Sequence, residues 1–401
     1  MSERDGRLRI LTFTTLYPNA AKPQHGVFVE NRLRHLLATG EVSARVLAPI
    51  PYFPFRSERF GAYAAFARAP RQETRSGIEI DHPRFLTIPK VGMNVAPYLL
   101  YASARMALAR LLRAGHKFDL IDAHYFYPDG VAAVMLGRAF GLPVTVTARG
   151  TDINLISDFA VPRRMIRRAA ERADGLIAVS SALAAKMAKM GIERSRITVL
   201  RNGVDPTFFR PLDPAGGEYG PPPSPLAVSV GNLVPLKGHD LAISALREVP
   251  ELKLWIVGGG PERGRLEALA RGLGVEDRLR FLGVVPHERM PEIYSAADVL
   301  ILASEREGWP NVLLEAMACG ARVVTTNVSD VAEIVTEPAA GVCIKERSIA
   351  CLAQALREVL AVSQPREATR AHALGFTWDA TTQGQIRLFR EILSRGPVKS
   401  A

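Results

Sequence analysis

Two carboxylates eight positions apart, Glu307 and Glu315, lie in the run SEREGWPNVLLEAMACG over residues 304–320. Between them Gly308-Trp309-Pro310-Asn311 is a turn-forming sequence, and Asn311-Val312-Leu313 begins a helical pattern. The preceding DVLILAS (298–304) is a short apolar run of buried-strand type. The local order is therefore strand, tight loop, helix N-terminus. Anions bind at such places in α/β proteins, because unpaired helical N–H groups and the positive end of the helix dipole point outward. Carboxylates beside an anion site suit a ligand that carries both hydroxyls and phosphate, as a nucleotide sugar does. GNLVPLKGHD (231–240) leaves another apolar run and sets Lys237 just ahead of a helix that starts near His239. A lysine there can meet a diphosphate as a flexible point charge. A histidine, His124, closes the apolar run within FDLIDAHYFYPDG (118–130).

The elements that must position these groups are legible as two similar halves. A chain of 401 residues exceeds what one core usually supports, which predicts two domains of about 200 residues each. A hydrophobic content of 48% excludes a largely disordered chain. Strand-type runs fall at 8–15, 42–48, 120–123, 144–147, 176–179 and 197–200, each followed by a polar or Gly-rich loop. The rhythm restarts at 226–232, 252–260, 279–283, 298–304 and 322–326. Strands alternating with helical patterns predict two doubly wound, Rossmann-like α/β domains with parallel sheets. The turn cluster RNGVDP (201–206) and the breaker run GGEYGPPPSP (216–225) place the boundary near 204, giving domains 1–203 and 204–375. Ligands are then expected beyond the strand C-termini, in the cleft between the domains. The opening MSERDGRLRILTFTTLYP reads as a first strand rather than a signal peptide, and nowhere do 18 apolar residues follow one another. Cys319, Cys343 and Cys351 lack metal-ligand spacing, so a reduced, cytoplasmic setting is expected, with Cys319 a small helix-packing residue.

Charge is unevenly spread. Residues 1–200 carry 29 Lys and Arg against 16 Asp and Glu, a net of +13, whereas residues 201–401 carry 22 against 24, a net of −2. An anionic partner therefore meets the first half. Nucleic acid is not expected, because RNP-like motifs, zinc knuckles and a clear helix-turn-helix are lacking. Pro97 is expected to open a helix to about Arg113, with Arg105, Arg110 and Arg113 on one side and Leu100, Tyr101, Leu108, Leu111 and Leu112 on the other. Pro162 is expected to open a second, with Arg163, Arg164, Arg167, Arg168 and Arg172 facing away from Met165 and Ile166. Ahead of both, residues 53–75 interleave Phe53, Phe55, Phe60, Tyr63 and Phe66 with five arginines. Basic residues beside amphipathic aromatics suit an anionic membrane surface. Core helices with solvated arginine faces are the alternative reading of the same pattern.

The Glu-x7-Glu pattern within EGWPNVLLEAMACG resembles the signature of the retaining family-four glycosyltransferases of the GT-B fold. The resemblance covers nearly the whole chain; it is strong over 281–326, fair at 226–240 and looser before 120. It implies that Glu315 binds ribose hydroxyls, Glu307 the sugar hydroxyls and Lys237 the diphosphate. Backbone N–H groups near Asn311, Val312 and Leu313 would face the leaving phosphate, with Gly308, Trp309 and Pro310 shaping that turn. FLGVVPHERMPEIYSAAD (281–298) is similar to the segment whose backbone at Val284 and Val285 meets the nucleobase, and VGGGPE (257–262) to the preceding strand-exit loop. His124, expected with Glu307 and Lys237 to be catalytic, resembles the histidine that family members place against the donor sugar. The segment 376–401 resembles a terminal helix that crosses back to the first domain.

The departures are specific. Asn232 stands where arginine is common in the family, which removes a cation from the expected diphosphate site. Arg149, in TARGTDIN (147–154), replaces a usual histidine while Gly150 and Asp152 remain. Gly26, Arg149 and Asp152 are expected on the acceptor side, where a fixed cation would favour a phosphate-bearing acceptor, or Arg149 pairs with Asp152. Gln24-His25-Gly26 replaces two adjacent glycines, and Gly26 at a helix start still fits an approach to phosphate. Arg322 replaces a common proline, with little consequence expected.

The resemblance implies a retaining transferase that moves a sugar from a UDP or GDP sugar to a lipid-linked or polysaccharide acceptor, and the basic first half is expected to hold it on the inner face of the plasma membrane. No Asp-x-Asp motif is present, so neither a catalytic metal nor another cofactor is expected. A non-hydrolysing nucleotide-sugar epimerase of the same fold, a dehydrogenase lacking the usual dinucleotide fingerprint, and an inactive sugar-nucleotide-binding protein remain as alternatives.

Overall fold

The computed structural model describes residues 6–57, 59, 62–87, 92–213 and 219–395. Phe60, the side chain of Tyr63, residues 216–218 of the breaker run and the tail beyond Arg395 lie outside the described residues. Two compact units divide the chain: Met1–Arg201 with Asp379–Ala401, and Asn202–Trp378. The sequence boundaries at 203/204 and 375/376 fall within three residues of these divisions.

The first unit contains β1 (Leu8–Phe13), β2 (Val42–Leu47), β3 (Ile50–Pro51), β4 (Gln72–Arg75), β5 (Ile78–Asp81), β6 (Arg84–Phe85), β7 (Leu120–His124), β8 (Val144–Ala148), β9 (Gly175–Ala178) and β10 (Ile197–Val199). Its main sheet runs β10-β9-β8-β7-β1-β2-β5-β4 and is parallel except for the β4–β5 pair; β3 and β6 pair separately. β7 and β8 are buried along their whole length, as a parallel sheet covered on both faces requires. The helix Trp378–Arg395 belongs to this unit from Asp379 onward, and its Ile386 and Phe389, both 0% exposed, join the core formed by Ile10, Val29, Leu33, Val46 and Leu120. Burying two such side chains stabilises the unit by roughly 1.5–3 kcal/mol each.

The second unit contains β11 (Leu226–Val230), β12 (Lys253–Val257), β13 (Leu279–Gly283), β14 (Val299–Leu302), β15 (Arg322–Thr326) and β16 (Gly341–Ile344). All pair in parallel, in the order β13-β12-β11-β14-β15-β16. Renumbered from its first strand this is 3-2-1-4-5-6, the dinucleotide-fold order. Its core joins Leu254, Ile256, Val299 and Ile301 to Ile243, Leu246, Leu266, Leu352 and Leu356 from the flanking helices.

Two helix starts differ from expectation. The helix expected from Pro97 begins at Gly92 and runs to Arg113, with Pro97 inside it. Proline lacks the N–H that would bond to the carbonyl four residues back. That carbonyl, Met93 O, instead accepts the Tyr127 hydroxyl, so the helix tolerates the proline. The helix expected from Pro162 begins at Ala160 and runs to Arg172. Pro162 sits in its first turn, where an N–H has no helical acceptor anyway. In both helices Leu100, Leu108, Leu111 and Ile166 are buried while the arginines are exposed. Among the described residues no helix is long and apolar enough to cross a membrane.

Candidate active site

In the second unit the strand order reverses between β11 and β14, and the loops leaving those two strands carry the expected ligand-binding groups. Crevices at such reversals are where open α/β sheets bind ligands. Glycine brings these loops together. Gly238 has φ +66°, and a Cβ there would lie 2.1 Å from Ala303 O. Gly258, with φ +142°, passes so near the β11 loop that a Cβ would lie 1.9 Å from Gly231 O.

The close approach sets Lys237 against Glu307. Lys237 Nζ lies 2.6 Å from Glu307 Oε1, which also accepts the Ser304 hydroxyl at 2.7 Å. The Ser329 hydroxyl donates to Glu307 O, fixing the backbone of the same residue. Both side chains keep some solvent contact, 24% for Lys237 and 13% for Glu307, so a ligand can still reach them. Asn232 is exposed on the same loop.

Glu315 lies on the helix Asn311–Ala318 and is half-buried. Its Oε2 accepts the Tyr294 hydroxyl at 2.9 Å, and Oε1 has no donor among the described residues. Burial raises its carboxyl pKa, opposed by His287 and by the Tyr294 bond. His287 is held by stacking on Phe208, with ring centroids 5.2 Å apart and planes 12° apart. Val284 is 63% exposed and available to a flat ligand, whereas Val285 is buried.

The turn before this helix is narrower in function than its sequence suggests. Trp309 and Pro310 point inward and shape the loop beyond Gly308. The Asn311 N–H donates to Trp309 O and the Leu313 N–H to Pro310 O, each at 3.1 Å. Among the described residues no backbone carbonyl takes the Val312 N–H. Asn311 Oδ1 accepts from Asn202 Nδ2 at 3.2 Å. Of the three amides expected at the phosphate, two therefore close the turn and Val312 is the one left to a ligand.

In the first unit the reversal lies between β1 and β7. His124 ends β7 and is 2% exposed. Its Nε2 lies 3.1 Å from Asp122 Oδ2, and its Nδ1 lies 2.6 Å from Arg149 Nη2. A guanidinium only donates, so Nδ1 accepts and Nε2 carries the proton, a tautomer assigned from these partners. Burial lowers the His124 pKa to about 4, Asp122 opposes this, and Arg149 and Arg32 add to it. The ring is neutral at physiological pH, and both nitrogens already have protein partners.

Arg149 is 9% exposed, with its guanidinium 5.2 Å from the Phe28 ring centroid. Asp152, expected on the acceptor side, is 0% exposed. Its carboxylate accepts the backbone N–H groups of Phe126 at 2.6 Å, Gly150 at 2.7 Å and Arg149 at 3.1 Å. It folds the loop and does not face a ligand. Gly26 precedes the helix Val27–Ala38 with φ +74°, where a Cβ would lie 2.3 Å from Leu16 O.

Two site-shaping residues escape sequence reasoning. Asp129, 0% exposed, accepts the Thr15 N–H at 2.5 Å and the Thr14 and Thr15 hydroxyls at 3.2 and 3.0 Å. It ties the loop after β1 to the loop after β7. His239, the first residue of the helix after Lys237, is 3% exposed and places Nδ1 2.9 Å from Ser229 Oγ. Burial lowers its pKa to about 4. Both lie in segments quoted above for other residues, Asp129 in 118–130 and His239 in 231–240, and only polarity within an apolar surround marks their own roles. Among the described residues no cluster of three His, Cys, Asp or Glu side chains is arranged to hold a metal ion.

Two Rossmann-like units, with two carboxylates and a lysine near the strand-order reversal of the second, are what the resemblance to GT-B glycosyltransferases predicts. Residues 63–208 match Glycosyltransferase Family 4, and residues 219–374 match Glycosyl transferases group 1. A D-inositol 3-phosphate glycosyltransferase of Acidothermus cellulolyticus is 30% identical over 354 residues, covering 81% of this chain and 79% of that one. The putative teichuronic acid biosynthesis glycosyltransferase TuaC of Bacillus subtilis is 29% identical over 361 residues, covering 87% and 88%. The solved structure of Anabaena Alr3699/HepE in complex with UDP and glucose superposes with a TM-score of 0.71 at 19% identity, covering 96% and 99%. The chain belongs to the family-four glycosyltransferases.

Proposed function

We propose that the enzyme transfers a hexosyl group, with retention, from a nucleoside diphosphate sugar to a lipid-linked or saccharide acceptor. The observation that carries this reading is the grouping of Lys237, Glu307 and Ser304 at the β11/β14 reversal, on the loop that leads to the Glu315 helix. Glu315 Oε1 takes the ribose hydroxyls, Lys237 the diphosphate and Glu307 the sugar hydroxyls. The Val312 N–H and the dipole of its helix stabilise charge on the leaving phosphate. The sugar C1–diphosphate bond breaks as a C1–oxygen bond to the acceptor forms on the same face, and the acceptor's proton passes to the departing phosphate oxygen. His124 serves the donor sugar and Arg149 the acceptor half of the reaction. Positive protein groups do the work of a metal. UDP in the Anabaena neighbour favours uridine over guanosine. The relatives' teichuronic acid and inositol phosphate names favour an acceptor that bears anionic groups.

The reading includes action at an anionic membrane from the cytoplasmic side, in polysaccharide biosynthesis. Arg163, Arg164, Arg167 and Arg168 line a groove of about 480 Å³. Leu155, Phe159 and Val161, 37%, 48% and 43% exposed, precede or begin the same helix. Apolar tips beside arginines match an interface with anionic lipid.

NMR of the product made from a UDP- or GDP-α-hexose tests the chemistry. An α-linked product formed in excess chelator is expected; an inverted linkage, or abolition by EDTA, overturns the reading.

A further inference from the structure

A buried polar chain runs through the first unit and ends at His124. Arg32 Nε donates to Gln385 Oε1 at 2.7 Å, and Gln385 Nε2 donates to Asp122 Oδ2 at 2.7 Å. Thr145 Oγ1 donates to Asp122 Oδ1 at 2.7 Å, and His124 Nε2 meets Asp122 Oδ2 at 3.1 Å. Arg149 Nη2 closes the chain on His124 Nδ1 at 2.6 Å. Arg32, Asp122, His124, Thr145 and Gln385 are each at most 2% exposed, so water does not substitute for these bonds.

We infer that Gln385, 261 positions after His124 in the chain and on the helix Trp378–Arg395, is a positioning residue for His124, acting through Asp122, and that Arg32 sets its direction. The inference rests on His124 serving the transfer reaction. The direction follows from what each group can do. Arg32 offers only donors, so it holds the amide oxygen of Gln385 and turns the NH2 toward Asp122. The flipped amide would set NH2 against a guanidinium and a carbonyl against a carboxylate. Asp122, with Thr145 on one oxygen and Gln385 on the other, keeps its plane and its position. It can then take the Nε2–H of His124 and leave Nδ1 to accept from Arg149.

The charged groups facing His124 are Asp122 from its own strand, Arg149 from the loop after β8 and Arg32 from the helix Val27–Ala38. Asp152 lies behind the Arg149 backbone. Withdrawing the Gln385 N–H removes one donor from Asp122 and concentrates its charge on the imidazole. The His124 pKa then rises, and a protonated Nδ1 would meet the Arg149 guanidinium. Burial and the two arginines keep the ring neutral; Gln385 fixes the Asp122 carboxylate that orients it, although it touches no substrate.

The test uses the full-length enzyme with Gln385→Met, of similar length but without donors, and Gln385→Glu, which keeps the Arg32 contact and sets a carboxyl against Asp122 in place of the amide donor. Each should retain binding of UDP or GDP within about twofold while kcat falls by roughly 10- to 100-fold, the scale on which mispositioning acts. The acid limb of the rate profile should move to higher pH. In the wild type, ¹⁵N NMR of the histidine rings should show His124 neutral with its proton on Nε2 at pH 6. The variants should shift that signal toward the cation. Wild-type kcat and ring signals in both variants, or a wild-type His124 that is cationic or protonated on Nδ1, overturn the inference. The ring measurement needs no turnover. If no donor supports transfer by the wild type, the transferase reading fails, while the ring signals still decide the role of Gln385.

Discussion

Lys237 Nζ and Glu307 Oε1 stand 2.6 Å apart, so the cation expected at the diphosphate and the carboxylate expected at the sugar are partners of one another. Gly238 and Ser304 explain the pairing. The first lets the β11 loop press against the β14 loop, and the second holds the carboxylate in place. A ligand that carries phosphate and hydroxyls in sequence gives each member a new partner at the same moment, which leaves neither charge stranded in a partly buried site.

The pair should therefore act as a unit. Lys237→Ala is expected to weaken donor binding. Glu307→Gln should lower kcat by roughly ten- to a thousandfold through lost sugar orientation. In a double-mutant cycle on kcat/KM the two should couple by about 0.5–3 kcal/mol. Strictly additive effects would show that their contact has no part in the reaction.

Glu315→Gln should behave differently. Contacts to a ribose exist equally in the ground and transition states, so their loss raises KM and the donor dissociation constant more than it changes kcat. The Tyr294 hydroxyl, which donates to Glu315 Oε2 in the native site, can still donate to the amide oxygen of the variant, and this keeps the fold of the site. Calorimetric titration with UDP and GDP checks this. Unchanged affinity for both would remove Glu315 from the nucleotide site.

Asp129 ties stability to pH. Burial is the largest influence on its carboxyl and Asp152 reinforces it, while the Thr14 and Thr15 bonds oppose them; the pKa rises from 3.8 to about 7. Below pH 3.8 the folded and unfolded chains both hold the proton. Between 3.8 and about 7 the folded state keeps a proton that the unfolded chain has released, so this group's contribution to stability falls as pH rises across that window. Asp129→Asn, which still accepts from Thr15, should flatten that part of the Tm-against-pH curve. An identical slope in variant and wild type would mean that Asp129 is ionised in the fold.

The strands and the donor loops were legible because they repeat a local rule. An apolar run followed by glycine and a helix start recurs at 226–240 and at 298–313, and both runs flank the strand-order reversal. Length and strand rhythm indicated two domains, and the family resemblance added the GT-B architecture. Groups that depend on distant partners were not legible. Gln385 and Asp122 stand 263 positions apart, and nothing in either neighbourhood announces the other. Asp129 looks like a turn residue after Pro128, yet its work is done on Thr14 and Thr15 across the sheet. Pro97 signalled a helix start because the rule for proline is local, whereas the hydroxyl that accommodates it comes from Tyr127. Asp152 was read as ligand-facing from its motif, but backbone amides within its own loop and from Phe126 surround its carboxylate.

The arginine face of the helix Ala160–Arg172 should hold the enzyme on anionic lipid. Each basic residue near such a surface contributes on the order of 1 kcal/mol, screened over about 8 Å at physiological salt. Three or four engaged arginines give reversible attachment, and the exposed Phe159 and Val161 add an apolar contact that salt does not screen. Liposome co-sedimentation separates the two contributions. Binding to anionic vesicles should weaken strongly toward about 0.5 M salt, where screening shortens to about 4 Å. Arg163/Arg164/Arg167/Arg168→Ala should abolish the salt-sensitive part, and Phe159→Ser should lower the binding that persists at high salt. Equal binding to neutral and anionic vesicles, or binding to neither, would leave this face as a solvated surface and send the net +13 of residues 1–200 in search of a different anionic partner.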